Sequence, residues 1–158
     1  MEKLKALIKS ILHNLGATIV GFIVALIGVG LDLLFGFKDF TSNAILLIGI
    51  LILIIGFLIR VWATYCFYMH KMKVIVLHTQ NKLITTGPFH YSRNPLYLGG
   101  NVFIFLGASL ILGTPMGLAI TILQIPLVDV MIRREEKQLE KTFGQDWLEY
   151  KKQVRRWL

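Results

Sequence analysis

The chain has 158 residues, of which 55% are hydrophobic and 16% charged. The apolar residues form blocks long enough to cross a hydrocarbon core of about 30 Å, so the composition excludes an ordinary soluble domain and indicates a single membrane domain, residues 1–158. The formal net charge of +8 comes from basic residues beside these blocks, where lipid headgroups explain them, and no nucleic-acid partner is expected.

Four apolar segments are predicted to be membrane-spanning helices, at about 15–35, 43–62, 96–112 and 116–132. The first is longer than a secretory signal core and lacks a small-residue cleavage site, so it is expected to be retained. The second is expected to continue as helix beyond Arg60, a snorkelling cation followed by aromatic residues. Only Gly113-Thr114-Pro115 joins the last two segments, which predicts a tight antiparallel hairpin.

The remaining segments are polar. A connector, His70 to Asn94, links the second and third spans, and the tail after residue 132 predicts an amphipathic helix broken or capped around Gly144. Of the 17 Lys and Arg residues, three precede the first span, five lie from Arg60 to Arg93 and eight follow the fourth span. Only Lys38 falls on the other side, so the positive-inside rule places both termini and the connector in the cytoplasm.

Two polar clusters flank the predicted hairpin, one at the end of the connector and one at the exit of the fourth span. The hairpin brings them to the same membrane face, so residues distant in sequence become neighbours. The ordered motifs are Gly87-Pro88-Phe89, Arg93-Asn94-Pro95-Leu96-Tyr97, Glu135-Glu136 and Phe143-Gly144-Gln145-Asp146-Trp147-Leu148-Glu149-Tyr150.

In these four motifs, and over roughly residues 81–154, the chain resembles the isoprenylcysteine carboxyl methyltransferase family and its phospholipid methyltransferase-like bacterial relatives. The resemblance implies S-adenosylmethionine bound in a cytosol-facing pocket, an amphipathic acceptor entering from the bilayer, and a catalytic half over about residues 78–158. Methyl transfer from a sulfonium is a direct displacement, which mainly requires alignment and exclusion of water.

The resemblance also implies residue roles. Gly87 and Pro88 would shape backbone around the cofactor, Tyr97 would hydrogen-bond it, and Glu135 would pair with its ammonium group. Arg93 would orient a carboxylate on either substrate or cofactor, and the sequence does not choose between them. The implied cofactor-binding residues are Asn81, Leu83, Thr86, Gly87, Pro88, Tyr97, Glu135 and Glu136, and the implied catalytic residues are Arg93, Asn94, Arg134 and Glu135.

Two positions depart from the eukaryotic members of that family. Asn94 and Asn81 stand where those enzymes have histidine, and asparagine can neither become cationic nor act as a general base at neutral pH. The resemblance therefore supports binding of the same cofactor more strongly than it supports a prenylcysteine acceptor.

Simpler roles exist for each charged or polar residue. The arginines Arg93, Arg133 and Arg134 can be headgroup anchors, and Glu135 and Glu136 can form a local surface ion pair. Asp129, within the fourth span, is either functional or paired with Arg133 one turn later. Asn101 and Gln124 are expected to hydrogen-bond between helices. No metal site is expected from Cys66, the single cysteine, with His70, His78 and His90.

The sequence thus predicts an all-α, multi-pass integral membrane methyltransferase dependent on S-adenosylmethionine, with membrane lipids and a lipid-like or amphipathic acceptor as its partners. Two other readings stay open. One is a membrane reductase, because the sterol reductases are similar around the Arg-x-Pro-x-Tyr motif. The other is a small four-span transporter or assembly protein, in which the polar residues would serve a cation path. The acceptor atom and the oligomeric state are not determined by the sequence.

Overall fold

The computed structural model describes residues 1–74 and 81–158, so His78 of the connector lies outside the described residues. The fold is 78% helix, and no strand occurs in the two described ranges. The all-α prediction is confirmed. The helices are α1 Glu2–Phe35, α2 Asn43–Met69, α3 Pro95–Ile111, α4 Pro115–Phe143 and α5 Gln145–Gln153, with a 3-10 turn at Gly87–His90.

Helix α1 begins well before the apolar segment predicted at residues 15–35. With 34 residues it is about 51 Å long, because each helical residue rises 1.5 Å, and this exceeds the thickness of a hydrocarbon core. Its basic first turns therefore extend beyond the apolar stretch. The helix ends at Gly36, which has φ 73° and donates its N–H to the carbonyl oxygen of Asp32.

Helix α2 begins after Ser42, whose side-chain oxygen accepts from the N–H of Ile45 at 3.3 Å. It continues through Arg60 to Met69, as the sequence predicted. The Arg60 guanidinium is half-buried rather than free at the surface, because its Nη1 donates to the carbonyl oxygen of Leu96 at the start of α3 (2.8 Å).

A buried polar cluster of Ser10, Asn14 and Thr64, the polar clamp, joins α1 to α2. The Ser10 hydroxyl donates to the carbonyl oxygen of Val61 (2.6 Å) and hydrogen-bonds the Thr64 hydroxyl, which also accepts from Asn14 Nδ2 (2.7 Å). Between apolar helices such bonds fix both the pairing and the register, since lipid offers polar atoms no alternative partners.

The predicted hairpin is confirmed. Helix α3 ends at Ile111, Gly113 adopts φ 61°, and Thr114 caps α4 by accepting from the N–H of Gly117 (3.0 Å). Asp32 of α1 adds a second cap, because its carboxylate accepts from the Thr114 hydroxyl and from the N–H of Met116 (3.0 Å). The buried Asp32 thus ties the first helix to the turn of the hairpin.

Helix α3 contains a π-helical segment at Leu98–Ile104, which the sequence analysis did not anticipate. Gly99 in this segment packs on Gly56 of α2, where a Cβ at position 56 would lie 2.7 Å from the Gly99 carbonyl oxygen. Only hydrogen at both positions allows the two backbones to approach this closely. Widened turns of this kind occur frequently at functional sites.

Within residues 1–74 and 81–158, three helices are long and apolar enough to span a membrane, namely α1, α2 and α4. The remaining span of the four predicted, α3, is apolar but shorter than these. Helix α4 is broken at Gln124, ahead of Pro126, which has no N–H to continue the bonding. It ends at Phe143, and Gly144 with φ 52° separates it from α5, as predicted.

Candidate functional site

The predicted cofactor turn lies against α2. Gly87 has φ +66°, a conformation that favours glycine, and a Cβ there would lie 3.0 Å from the Cys66 sulfur and 3.2 Å from Trp62 Nε1. Pro88 is buried behind it, and Pro95 opens α3 at a first-turn position where its missing N–H costs nothing. These residue types set the path of the chain towards Arg93.

A buried ionic network follows that turn. Arg93 Nη1 lies 3.2 Å from Glu136 Oε1, and these side chains are only 8% and 6% exposed. Arg156 binds the same carboxylate through Nη2 at 2.7 Å and Nε at 3.2 Å, and its Nη1 reaches Asp129 Oδ1 at 3.2 Å. The hydrogen bonds to Glu136 raise the pKa of Arg156, so the guanidinium stays charged.

The C-terminal residues 154–156, the C-terminal strap, run along the Arg93 turn. The N–H of Arg93 donates to the carbonyl oxygen of Arg155 at 3.0 Å. The carbonyl oxygen of Arg156 accepts from the Ser92 hydroxyl and from Asn94 Nδ2, both at 3.2 Å. Asn94 therefore has a structural partner, and the strap fixes the turn from which Arg93 projects.

A cavity of about 60 Å³ lies between the turn, α4 and α5, inside an open recess of about 480 Å³ that includes solvent. Its wall carries Arg93, Glu135 and Tyr97, and the Tyr97 hydroxyl donates to Glu135 Oε1 at 2.9 Å. The rest of the wall is mainly apolar or aromatic, formed by Phe67, Leu83, Ile84, Phe89, Leu96, Leu139, Trp147 and Tyr150. Ionic groups on a largely apolar concave wall are typical of small-molecule sites.

Helix α5 supplies the aromatic part of the wall. The Arg93 guanidinium carbon lies 5.8 Å from the centre of the Trp147 ring, within the range of a cation–π contact. The Tyr150 hydroxyl donates to the carbonyl oxygen of Phe89 at 2.6 Å, and burial raises the pKa of this hydroxyl, so it remains protonated. Trp147 Nε1 and Arg93 Nε are buried without a hydrogen-bond partner among the described residues.

The two clusters flanking the hairpin do meet, as predicted, since Arg93 contacts Glu136. Of the residues that the sequence analysis singled out, those on the cavity wall are Leu83, Arg93, Asn94, Tyr97 and Glu135. Glu136 is buried behind Arg93, whereas Asn81, Thr86 and Arg134 are exposed outside this wall. The catalytic and cofactor-binding roles stay predictions.

The simpler roles considered for the polar residues are partly realised. Arg133 Nε binds Asp129 Oδ2 at 2.7 Å, the pair expected one turn apart. Gln124 Nε2 donates to the carbonyl oxygen of Asn101 at 2.6 Å, so this pair links α3 to α4 as expected. In residues 1–74 and 81–158, no three His, Cys, Asp or Glu side chains are grouped to hold a metal ion.

Sequence reasoning missed Arg156, Trp147 and Tyr150 as parts of the site. Trp147 and Tyr150 belong to a motif that the sequence analysis used only for recognition, so their spacing was a usable signal. Arg156 gave no such signal, because its role depends on the strap returning to the turn at Arg93.

The fold and the site define a class, a helical protein with apolar helices long enough to span a membrane and a cavity lined by both ionic and apolar side chains. The family model of the phospholipid methyltransferases matches residues 44–146, and the chain belongs to this family, which includes the isoprenylcysteine carboxyl methyltransferase-like proteins. No curated protein and no solved structure gives a significant match. The chain is therefore a methyltransferase of the membrane.

Proposed function

We propose that this protein transfers a methyl group from S-adenosylmethionine to a lipid-like or amphipathic acceptor in the cavity between the Arg93 turn, α4 and α5. The observation that carries the proposal is the convergence of Arg93, Tyr97 and Glu135 on a mainly apolar wall. The family resemblance implies cofactor binding for Tyr97 and Glu135, and it implies that Arg93 orients a carboxylate on the substrate or the cofactor.

The wall residues fit the charges of S-adenosylmethionine. Glu135 is a carboxylate suited to an ammonium group, and the Tyr97 hydroxyl holds it in place by donating to Oε1 (2.9 Å). Arg93 lies on the same wall and offers a guanidinium suited to a carboxylate.

The unpaired donors support the same assignment. Buried N–H groups without partners are unfavourable, and both Arg93 Nε and Trp147 Nε1 belong to residues of the cavity wall. A bound anion or polar group would supply acceptors to them. This favours a polar ligand at this end of the cavity over a purely hydrophobic one.

The chemistry required of the protein is positioning. When bound, S-adenosylmethionine supplies an activated methyl group whose displacement needs nucleophile, carbon and leaving sulfur in line. Glu135 and Arg93 anchor opposite charges, while Phe67, Phe89 and Leu139 exclude water from the same space. An acceptor that is already a carboxylate then needs no strong general base.

For the membrane arrangement, we propose that α1 to α4 each cross once, with both termini in the cytoplasm. The N–H of Phe40 donates to the carbonyl oxygen of Gly113 (3.1 Å), so the α1–α2 loop and the hairpin turn share one end, where Lys38 is the only Lys or Arg. The short α3 requires local thinning of the bilayer, which costs little per ångström.

Binding of radiolabelled S-adenosylmethionine to the detergent-purified protein tests the cofactor. We expect Glu135→Ala to weaken binding about tenfold or more, because a charge-assisted bond to the cofactor is lost. Glu140→Ala, on the same helix but exposed beside Lys151, is the matched control and should bind like the parent protein. Parent protein that binds none, or Glu135→Ala that binds equally well, would contradict the assignment.

The acceptor requires a separate experiment. Native membranes containing the protein are incubated with a radioactive methyl donor, and the labelled lipid or small molecule is identified. Label in an extractable amphiphile that disappears in Glu135→Ala membranes supports the proposal. Label confined to soluble polar metabolites contradicts a lipid-like acceptor.

Orientation is testable by labelling single cysteines in a Cys66→Ser background with a membrane-impermeant maleimide. Lys38→Cys should react from outside intact cells, and Lys151→Cys only after the membrane is opened. The reverse pattern would invert the proposed topology.

A further inference from the structure

Four lysines surround a second recess, away from the cavity described above. Lys5 and Lys9 lie one turn apart on α1, and Lys71 and Lys73 follow the end of α2. The recess measures about 950 Å³ including its open mouth, and Glu2 is its one acidic lining residue. We call it the lysine recess. Among the described residues, none of its lysines takes part in an ion pair.

The backbone at Lys71 is unusual for a lysine. The N–H of Met72 donates to the carbonyl oxygen of Phe67 (2.9 Å) and that of Lys71 to the carbonyl oxygen of Tyr68 (3.0 Å), which together form a Schellman ending of α2. Lys71 occupies the left-handed position of this ending with φ 57°, where glycine is normally found. A strained lysine directed to a basic recess points to a use for its side chain.

The floor of the recess is apolar. It is formed by Ala6, Tyr68, Met69 and Met72, and the Tyr68 hydroxyl is already engaged with His13 Nδ1 at 3.3 Å. The recess lies where the basic first turns of α1 meet the end of α2, next to the apolar part of both helices. Lysines around an apolar floor, next to the apolar part of both helices, suit an amphiphile with an anionic head.

We propose that the lysine recess binds the phosphate headgroup of an anionic membrane phospholipid, and that the glycerol region of this lipid lies on the apolar floor. The occupant is a lipid rather than free phosphate because the floor of the recess is apolar and the recess adjoins the hydrocarbon-facing helices. This site is independent of methyl transfer, since it shares no lining residue with the Arg93 cavity.

Binding is measured with the purified full-length protein in detergent by native mass spectrometry, using phosphatidylglycerol, phosphatidylcholine and glycerol phosphate as probes. Phosphatidylglycerol should bind the parent protein more tightly than the other two. Each lysine near a lipid headgroup contributes about fivefold in affinity, so Lys5→Gln with Lys9→Gln should weaken phosphatidylglycerol binding about 25-fold.

The matched control is Lys137→Gln with Lys141→Gln, which removes the same charge at the same spacing from exposed positions on α4. It should leave phosphatidylglycerol affinity within about twofold of the parent value. An equal loss in the control would show general charge attraction and overturn the site. Equal binding of phosphatidylcholine, or of glycerol phosphate, would overturn the anionic-lipid assignment, and so would unchanged affinity in the Lys5 and Lys9 variant.

Lys71→Gly provides a second test that does not depend on a damaged fold. Glycine relieves the left-handed backbone, so the lipid-free midpoint of unfolding should rise by about 2 °C. Phosphatidylglycerol affinity should nevertheless fall about fivefold, because a headgroup contact is lost. Unchanged affinity in this better-folded variant would refute the role of Lys71.

Discussion

The two halves of this protein handle buried polar atoms in different ways. Between α1 and α2, the polar clamp of Ser10, Asn14 and Thr64 is neutral, and its side-chain hydroxyls and the Asn14 Nδ2 group bond to one another and to nearby carbonyl oxygens. Between α4 and the strap, the buried groups are ions, with Glu136 shared by Arg93 and Arg156. Neutral clusters fix helix pairing at low cost, whereas buried ions require oppositely charged partners, and here these ions lie beside the cavity.

The Glu136→Ala variant should show the largest effect. Removing the shared carboxylate leaves two arginines without their buried partner, and loss of one partner of a buried pair costs about 3 kcal/mol or more in unfolding free energy. Denaturation of the purified protein in mixed micelles measures this change in unfolding free energy. Glu140→Ala, from an exposed pair, should change stability by less than about 0.5 kcal/mol. A Glu136→Ala protein as stable as this control would mean that the network contributes no stability.

Thr64→Val should be next in size and tests the neutral half. Valine keeps the shape of threonine but leaves the Asn14 amide and the Ser10 hydroxyl short of a partner, so unfolding free energy should fall by about 1.5 kcal/mol. Methyl transfer per folded molecule should stay unchanged, because the clamp does not touch the cavity. A loss of methyl transfer without a loss of unfolding free energy would contradict a purely structural role for the clamp.

The Tyr97→Phe variant is expected to lower cofactor affinity while leaving stability nearly unchanged, the opposite of Thr64→Val. The variant loses one hydrogen bond to Glu135 but keeps the ring, so affinity for S-adenosylmethionine should fall about fivefold, or about 1 kcal/mol. Stability should change little. Equilibrium binding and mixed-micelle denaturation on one sample separate the two quantities, and a stability loss larger than the binding loss would assign Tyr97 to structure.

Arg133→Gln should have the smallest effect. Its side chain is 62% exposed, so solvent screens its bond to Asp129. In the variant, Asp129 keeps Arg156 as a second partner. Stability should therefore drop by only about 0.3 kcal/mol. A loss comparable to that of Glu136→Ala, measured by the same denaturation, would show that Arg133 is part of the buried network.

Local patterns were enough to predict much of the fold. The apolar blocks predicted α2 and the hairpin, and Gly113-Thr114-Pro115 marked its turn because these residues end one helix and cap the next. Gly144 marked the break before α5 for a similar local reason. The extension of α1 to Glu2 was missed because its first turns are too basic to count as apolar, although they are compatible with a helix.

The sequence by itself determined the all-helical class, the family and the meeting of the Arg93 turn with Glu136, since each depends on local composition or on motifs joined by a short turn. Tertiary structure alone decided that Glu135 faces the cavity while Glu136 is buried behind it, because neighbouring residues on a helix point about 100° apart and only packing selects the inward one. It also decided that Arg156 completes the ionic network, because Arg156 reaches Glu136 only once the strap lies along the Arg93 turn.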